Sequence, residues 1–181
     1  MSAIPASFFG MVLGIVGLGS GWRAATEVWG VPAAIGESIM VAGALVWTVL
    51  AIAYGLKWVF QREEALAELR HPIQCCFISL VPATATLMAL VLAPHHRGGA
   101  TGLWLAGTVG QVAFAAYRSG GLWRGRMNLD AVTPIIFLPS VAANLISSIV
   151  AGVLGLSSWG LLFFGMGFFS WVVIESVIVV R

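Results

Sequence analysis

The sequence predicts an all-α membrane protein whose six transmembrane helices form three helical hairpins. Three observations lead there. The 181 residues are 60% hydrophobic, with a mean hydropathy of +0.99. Only 9% are charged, against about 25% in an ordinary soluble domain, so a soluble chain of this length would lack the polar side chains to cover its surface. The apolar residues also fall into six runs, at 7–22, 38–60, 73–93, 102–118, 134–154 and 159–180, each near the about 20 residues that one crossing needs. Residues 1–181 are expected to form one integral membrane domain, with hairpins at about 7–60, 73–118 and 134–180.

The first run has no Lys or Arg ahead of it. It lacks the basic segment of a cleaved signal peptide and is expected to be a retained helix. The connecting segments alternate in charge. Segments 23–37, 94–101 and 155–158 hold two basic residues, Arg23 and Arg97, whereas Lys57–Arg70, Arg118–Arg126 and Arg181 hold seven. The excess of Lys and Arg marks the cytoplasmic side. The expectation is a multi-pass protein of the cytoplasmic (inner) membrane with its N-terminus in the cytoplasm.

Odd and even runs differ in kind. The second, fourth and sixth hold 13 of the 20 aromatic residues, and the first, third and fifth hold five. The prolines inside the runs (Pro82, Pro134, Pro139) all lie in odd ones. So do the small or polar stripes at helical spacing: Gly10, Gly14, Gly17 and Gly21; Cys75, Ser79, Pro82, Ala83 and Thr86; Ser140, Asn144, Ser147, Ser148 and Ala151. The odd runs start at intervals of about 60–65 residues, an internal repeat of one hairpin each. Aromatic helices suit lipid and neighbouring subunits, while small and polar faces suit close packing or a water-filled cavity. Odd helices are therefore expected inside and even helices outside. Proline and asparagine within residues 133–150 are tolerable only where the freed carbonyl and the amide face water or another helix.

Catalytic constellations are absent: the sequence has no nucleophile elbow, zincin motif, P-loop or dinucleotide fingerprint. No enzyme activity, cofactor, metal or nucleic-acid partner is expected. His71 and Cys75 share a helix face but find no further ligands, and His95 and His96 read as surface residues of a loop. Two readings of Glu175 stand side by side: an interfacial acid paired with Arg124, Arg126 or Arg181, and an ion-coupling acid within the membrane. Arg118 reads as an interfacial anchor, and Arg23 with Glu27 as a helix-end pair or a vestibule charge. An interior of hydroxyls, an amide and kinked backbone, without fixed charge at depth, suits weak binding and passage of small ions.

The motifs "SFFGMVLGIVGL" (7–18), "HPIQCCFISLVPATATLM" (71–88), "GTVGQ" (107–111), "LPSVAAN" (138–144) and "LFFGMGFFSWVVIE" (162–175) carry a resemblance. In order and spacing they resemble the tellurite-resistance/dicarboxylate transporter family, which includes the plant slow anion channels. The resemblance implies a trimer of ten-helix, quasi-fivefold pores lined by odd helices. It implies transport of small inorganic anions or dicarboxylates, with an association with tellurite resistance. Carried over by position, Pro82 and Pro139 are the kinks of the third and fifth helices, and Phe9 and Gly10 open the first. The expected pore lining is Phe9, Gly10, Gly14, Gly17, Ser79, Pro82, Thr86, Pro139, Ser140, Asn144, Ser147 and Ser148. Val12 stands where relatives commonly have proline. The sequence stops after the sixth run, without helices seven to ten or the ninth-helix phenylalanine that plugs the pore in relatives. A non-conducting assembly subunit, or an inactive fragment of a transporter, is the alternative expectation.

Overall fold

The computed structural model describes residues 4–123 and 134–179. These residues are helical throughout, with short turns between helices: α1 (Phe9–Trp29), α2 (Ala33–Phe60), α3 (Arg62–Arg70), α4 (Cys75–Ile78), α5 (Leu80–Leu92), α6 (Arg97–Trp123), α7 (Ala143–Val153) and α8 (Ser157–Val179). A 3-10 turn (Ala6–Phe8) leads into α1, and a 3-10 turn (Pro134–Ile136) followed by a π turn (Leu138–Ala142) leads into α7.

Four segments are long and apolar enough to cross a membrane: Ala6–Trp29, Ala33–Phe60, Cys75–Leu92 and Ser157–Ser176. The expected fourth and fifth crossings fall short of that standard for physical reasons. Arg97, glycines, threonines and Gln111 dilute α6, and the apolar stretch Leu138–Val153 is short. At 28 residues, α2 is about 42 Å long at 1.5 Å per residue, more than the ~30 Å hydrocarbon layer.

Each long helix packs most extensively on its neighbour in sequence: α1 on α2, α5 on α6 and α7 on α8. The middle helix α5 also touches α1, α2 and α7. Of the window Cys75–Leu92, 61% is buried inside the chain, against 17–22% for the other three apolar segments. The third run is thus the core, flanked by α1 and α7.

The turns explain themselves locally. Gly30 (φ 67°) ends α1 in the left-handed conformation, its N–H bonding the Thr26 carbonyl, and Pro32 follows two residues later. Gly155 (φ 74°) ends α7 in a Schellman motif, with Leu156 N–H on the Ala151 carbonyl and Gly155 N–H on the Gly152 carbonyl. Two histidines cap backbone N–H groups where the chain turns into a helix. His71 Nδ1 accepts the N–H groups of Ile73 (3.2 Å) and Gln74 (3.1 Å), and His96 Nδ1 accepts that of Gly99 (2.8 Å). They satisfy donors that a helix start leaves orphaned, and no group of three or more potential metal ligands occurs among the described residues.

Helix approach is set by glycines other than the stripe singled out in α1. A Cβ on Gly19 would meet Met40 at 2.9 Å, on Gly36 Trp22 at 3.0 Å, and on Gly43 Val16 at 2.7 Å. These three let α1 and α2 close together. Gly10, Gly14, Gly17 and Gly21 have no atom of this kind within 4 Å and face open space.

Two arginines tie one end of the bundle. The Arg23 guanidinium forks onto Glu37 (2.7 and 2.8 Å) and donates to the Leu90 carbonyl (2.6 Å), joining α1, α2 and the end of α5. Its partner is Glu37, not the Glu27 that helical spacing suggests. Arg97 repeats the device one hairpin later, donating to the Leu154 carbonyl just past α7 (2.6 Å). Cations at a helix C-terminus also suit the helix dipole.

At the other end lies a buried ion pair. Lys57 Nζ and Glu68 Oε2 are 2.6 Å apart, with side chains 5% and 6% exposed. Glu68 Oε1 accepts the Ala6 N–H (2.7 Å), and Lys57 also donates to the Ile4 carbonyl (3.3 Å). The amphipathic α3 folds back so that Ala65 and Glu68 face inward. Lys57, counted above among the basic residues of a connecting segment, is therefore a buried internal partner.

Candidate functional site

Two helices at the core are interrupted side by side. In the third run the helix breaks at Ser79, between α4 and α5, three residues before Pro82. Proline lacks an N–H and its ring collides with the turn before it, which accounts for the position of the break. In the fifth run the π turn Leu138–Ala142 contains Pro139 and continues into α7. Single π turns within helices recur at functional sites. By contrast α1 is continuous from Phe9 to Trp29, with Val12 buried.

Hydroxyls and an amide satisfy backbone around these breaks. Ser79 Oγ donates to the Cys76 carbonyl (2.7 Å) and Thr86 Oγ1 to Pro82 (3.2 Å). Ser140 Oγ donates to Ile136 (3.1 Å) and Asn144 Nδ2 to Ser140 (2.6 Å). Polar residues make the irregular backbone affordable away from bulk water.

Helix α6 is shaped to this feature. A Cβ on Gly107 would collide with Thr86 Oγ1 and stand 2.7 Å from the Pro82 carbonyl oxygen, and one on Gly110 would stand 3.1 Å from Pro82 Cβ. The next position, Gln111, reaches past α5 to α7, where Nε2 donates to Ser147 Oγ (2.7 Å). Thr108 Oγ1 shares a hydrogen bond with the same hydroxyl (2.9 Å), and Trp104 Nε1 donates to the Ser147 carbonyl (3.1 Å). "GTVGQ" is thus two glycines for a proline-broken helix and two polar groups for its neighbour. Gln111 Oε1 and Asn144 Oδ1 are buried acceptors without a partner among the described residues, which marks this part of the core as polar.

The residues singled out in the sequence separate into groups. Ser79, Pro82, Thr86, Pro139, Ser140 and Asn144 gather at the two breaks. Ser147 is fully buried against α6, while Ser148 Oγ turns to α8 and donates to the Gly160 carbonyl (2.8 Å). Phe9 is fully buried, edge-on to Tyr54 (5.8 Å between ring centroids). Gly10, Gly14 and Gly17 lie apart from the breaks on the open face of α1. Glu175 is half-buried on α8 and forms no ion pair among the described residues; Arg124, Arg126 and Arg181 lie outside them. Gln111, Thr108 and Trp104 were missed, although "GTVGQ" itself was the signal for the first two; Trp104 lies three residues before it.

The geometry agrees with comparison to known proteins. The SLAC1 family profile, described as voltage-dependent anion channel, matches residues 3–181. A tellurite resistance protein TehA homolog from Haemophilus influenzae is 31% identical over 176 residues, covering 97% of this chain and 54% of the relative. The chain spans about half the length of that curated relative. A family profile over nearly the whole chain, together with apolar helices broken at "FISLVP" and "LPSVAAN", leads to one conclusion: this multi-pass membrane protein belongs to the SLAC1 voltage-dependent anion channel family.

Proposed function

We propose that the chain contributes three hairpins to a pathway for small inorganic anions or dicarboxylates. On this reading it crosses the inner membrane six times from a cytoplasmic N-terminus, with the first, third and fifth crossings inside and the aromatic ones outside, in a trimer. The observation that carries it is the pair of interrupted helices at the core, Ser79–Pro82 and Leu138–Ala142. Broken helices at membrane depth are tolerated where they are buried in protein or line a water-filled cavity. Polar side chains that bind weakly are what conduction requires. The family supports anions as cargo, and the name of the Haemophilus relative supports an association with tellurite resistance.

Chloride and nitrate flux into proteoliposomes tests this reading. Flux that falls with Asn144→Leu but not with Leu161→Ala, on the exposed face of α8, is the expected result. Flux equal to that of protein-free vesicles would refute it for this chain. One observation favours a second reading, a non-conducting assembly subunit: the glycine face of α1 has no packing partner within the described residues. Crosslinking from that face to a longer family member, without flux from the chain alone, is its signature.

A further inference from the structure

We propose that the groove between α6 and α8 binds one anionic phospholipid, with an acyl chain along the groove and the phosphate at Arg97. The groove has a volume of about 660 Å³, within the ~300–1,000 Å³ of ordinary ligand sites. Its floor is buried and formed by Trp104 and Thr108 of α6 and Phe163 of α8. The Trp104 and Phe163 rings meet edge-on, 6.0 Å between centroids. Its rims are exposed, with Val109 on one side and Trp159 and Leu162 on the other. An apolar groove left empty beside lipid forfeits dispersion contacts along both walls, and an acyl chain supplies them.

Length and charge identify the occupant. Along α6 the lining runs from Trp104 to Ala113, about 13.5 Å at 1.5 Å per residue. One leaflet supplies half of the ~30 Å hydrocarbon layer, so the groove is one leaflet deep. A crossing helix, from a second copy or another protein, needs a groove through both leaflets. Two turns above Trp104, on the same face of α6, Arg97 opens the helix and is exposed. It reaches across to the chain that leads into α8, where Nη2 donates to the Leu154 carbonyl (2.6 Å), three residues before Ser157. That bond uses one of five guanidinium N–H donors, and the side chain has no ion-pair partner among the described residues. The guanidinium fork matches the oxygens of a phosphate. Trp159, in the first turn of α8, suits the boundary between headgroups and hydrocarbon.

The floor of the groove is also the support of the broken fifth run. Trp104 and Thr108 hold the Ser147 carbonyl and hydroxyl (3.1 and 2.9 Å). A chain packed on that floor bears on α7 and makes the lipid a structural ligand of the α6–α7 junction. The site rests on insertion in a bilayer and not on the transport reading, since binding is measured without a gradient.

The test is native mass spectrometry of the detergent-purified chain with palmitoyl-oleoyl phosphatidylglycerol or the matching phosphatidylcholine added. The expected result is one phosphatidylglycerol retained per chain, preferred about tenfold over phosphatidylcholine, the effect of one charge-assisted hydrogen bond. Arg97→Gln should remove the preference, and Arg97→Lys should keep part of it. Val109→Trp and Leu162→Trp fill the groove from its exposed rims and should each abolish the retained lipid. Val49→Trp, on the exposed face of α2, should leave it in place. Phosphatidylglycerol held as firmly by both groove variants as by the unmutated chain would overturn the proposal. So would equal retention of the two lipids, no retention of either, or an oligomer that the groove variants break with no lipid lost.

Discussion

Gly107 of α6 lies against the carbonyl of Pro82 in α5, so close that a Cβ would stand 2.7 Å from that oxygen. The contact joins the break in the central helix to the helix that backs it. Gly107→Ala must therefore push α6 outward, and overpacking of this kind costs about 1–3 kcal/mol. Gly102, on the same helix, has nothing within 4 Å, and alanine there gains about 0.5–1 kcal/mol of helix propensity. Thermal unfolding in detergent should show a lower midpoint for Gly107→Ala and an unchanged or higher one for Gly102→Ala. Equal midpoints would mean that α6 does not approach Pro82 so closely.

Ser147 binds α6 through its hydroxyl and its carbonyl. Ser147→Ala keeps the carbonyl bond to Trp104 Nε1 but leaves the Gln111 amide and Thr108 hydroxyl buried without that partner. A stranded buried polar group costs about 1–3 kcal/mol. Gln111→Leu added to Ser147→Ala should cost less than the two single effects summed. Additive losses in the same unfolding assay would show the groups to be uncoupled.

The Lys57–Glu68 pair is nearly solvent-free. Lys57→Met or Glu68→Leu alone strands one charge and should cost about 3–5 kcal/mol. The double substitution should recover much of that loss, because apolar residues replace a desolvated pair at little net cost. Recovery will be incomplete, since Glu68 also receives the Ala6 N–H. A double variant as unstable as the sum of the singles would contradict the burial.

Arg23 holds two partners, Glu37 and the Leu90 carbonyl, and removing Glu37 takes away one of them. Arg23→Ala should therefore destabilise more than Glu37→Ala, because it also uncaps the Leu90 carbonyl at the end of α5. Hydrogen exchange should speed up in the last turn of α5 for the arginine variant and much less for the glutamate variant. Equal protection in both would remove the cap from the account.

What the sequence made legible depended on the range of the signal. The six apolar runs correspond to helical segments, and prolines 82 and 139 marked where two of them are irregular, because hydropathy and the missing N–H act locally. The choice of glycines was not legible. Gly10, Gly14 and Gly17 share the helical spacing of packing residues, yet Gly19 against Met40 and Gly43 against Val16 make the close contacts; spacing alone does not say which face meets a partner. The Lys57–Glu68 pair was not legible either, because the two residues are brought together only when α3 folds back. Arg23 passed over nearby Glu27 for Glu37, which the hairpin turn at Gly30 presents. His71 and His96 gave no capping signal, since the usual N-caps are Ser, Thr, Asp and Asn.

The central claim, that the broken helices of the core and, apart from them, the open glycine face of α1 border one aqueous anion path, is tested most directly by water access within a membrane. Gly14→Cys and Gly17→Cys would be placed in a chain whose Cys75 and Cys76 are serine, with Leu161→Cys on the outer face of α8 as comparison. The account predicts that a charged, membrane-impermeant thiol reagent modifies positions 14 and 17 in proteoliposomes, that excess nitrate slows the reaction, and that position 161 stays unmodified. Positions 14 and 17 as unreactive as 161 would place the glycine face in lipid or dry protein and contradict the pathway.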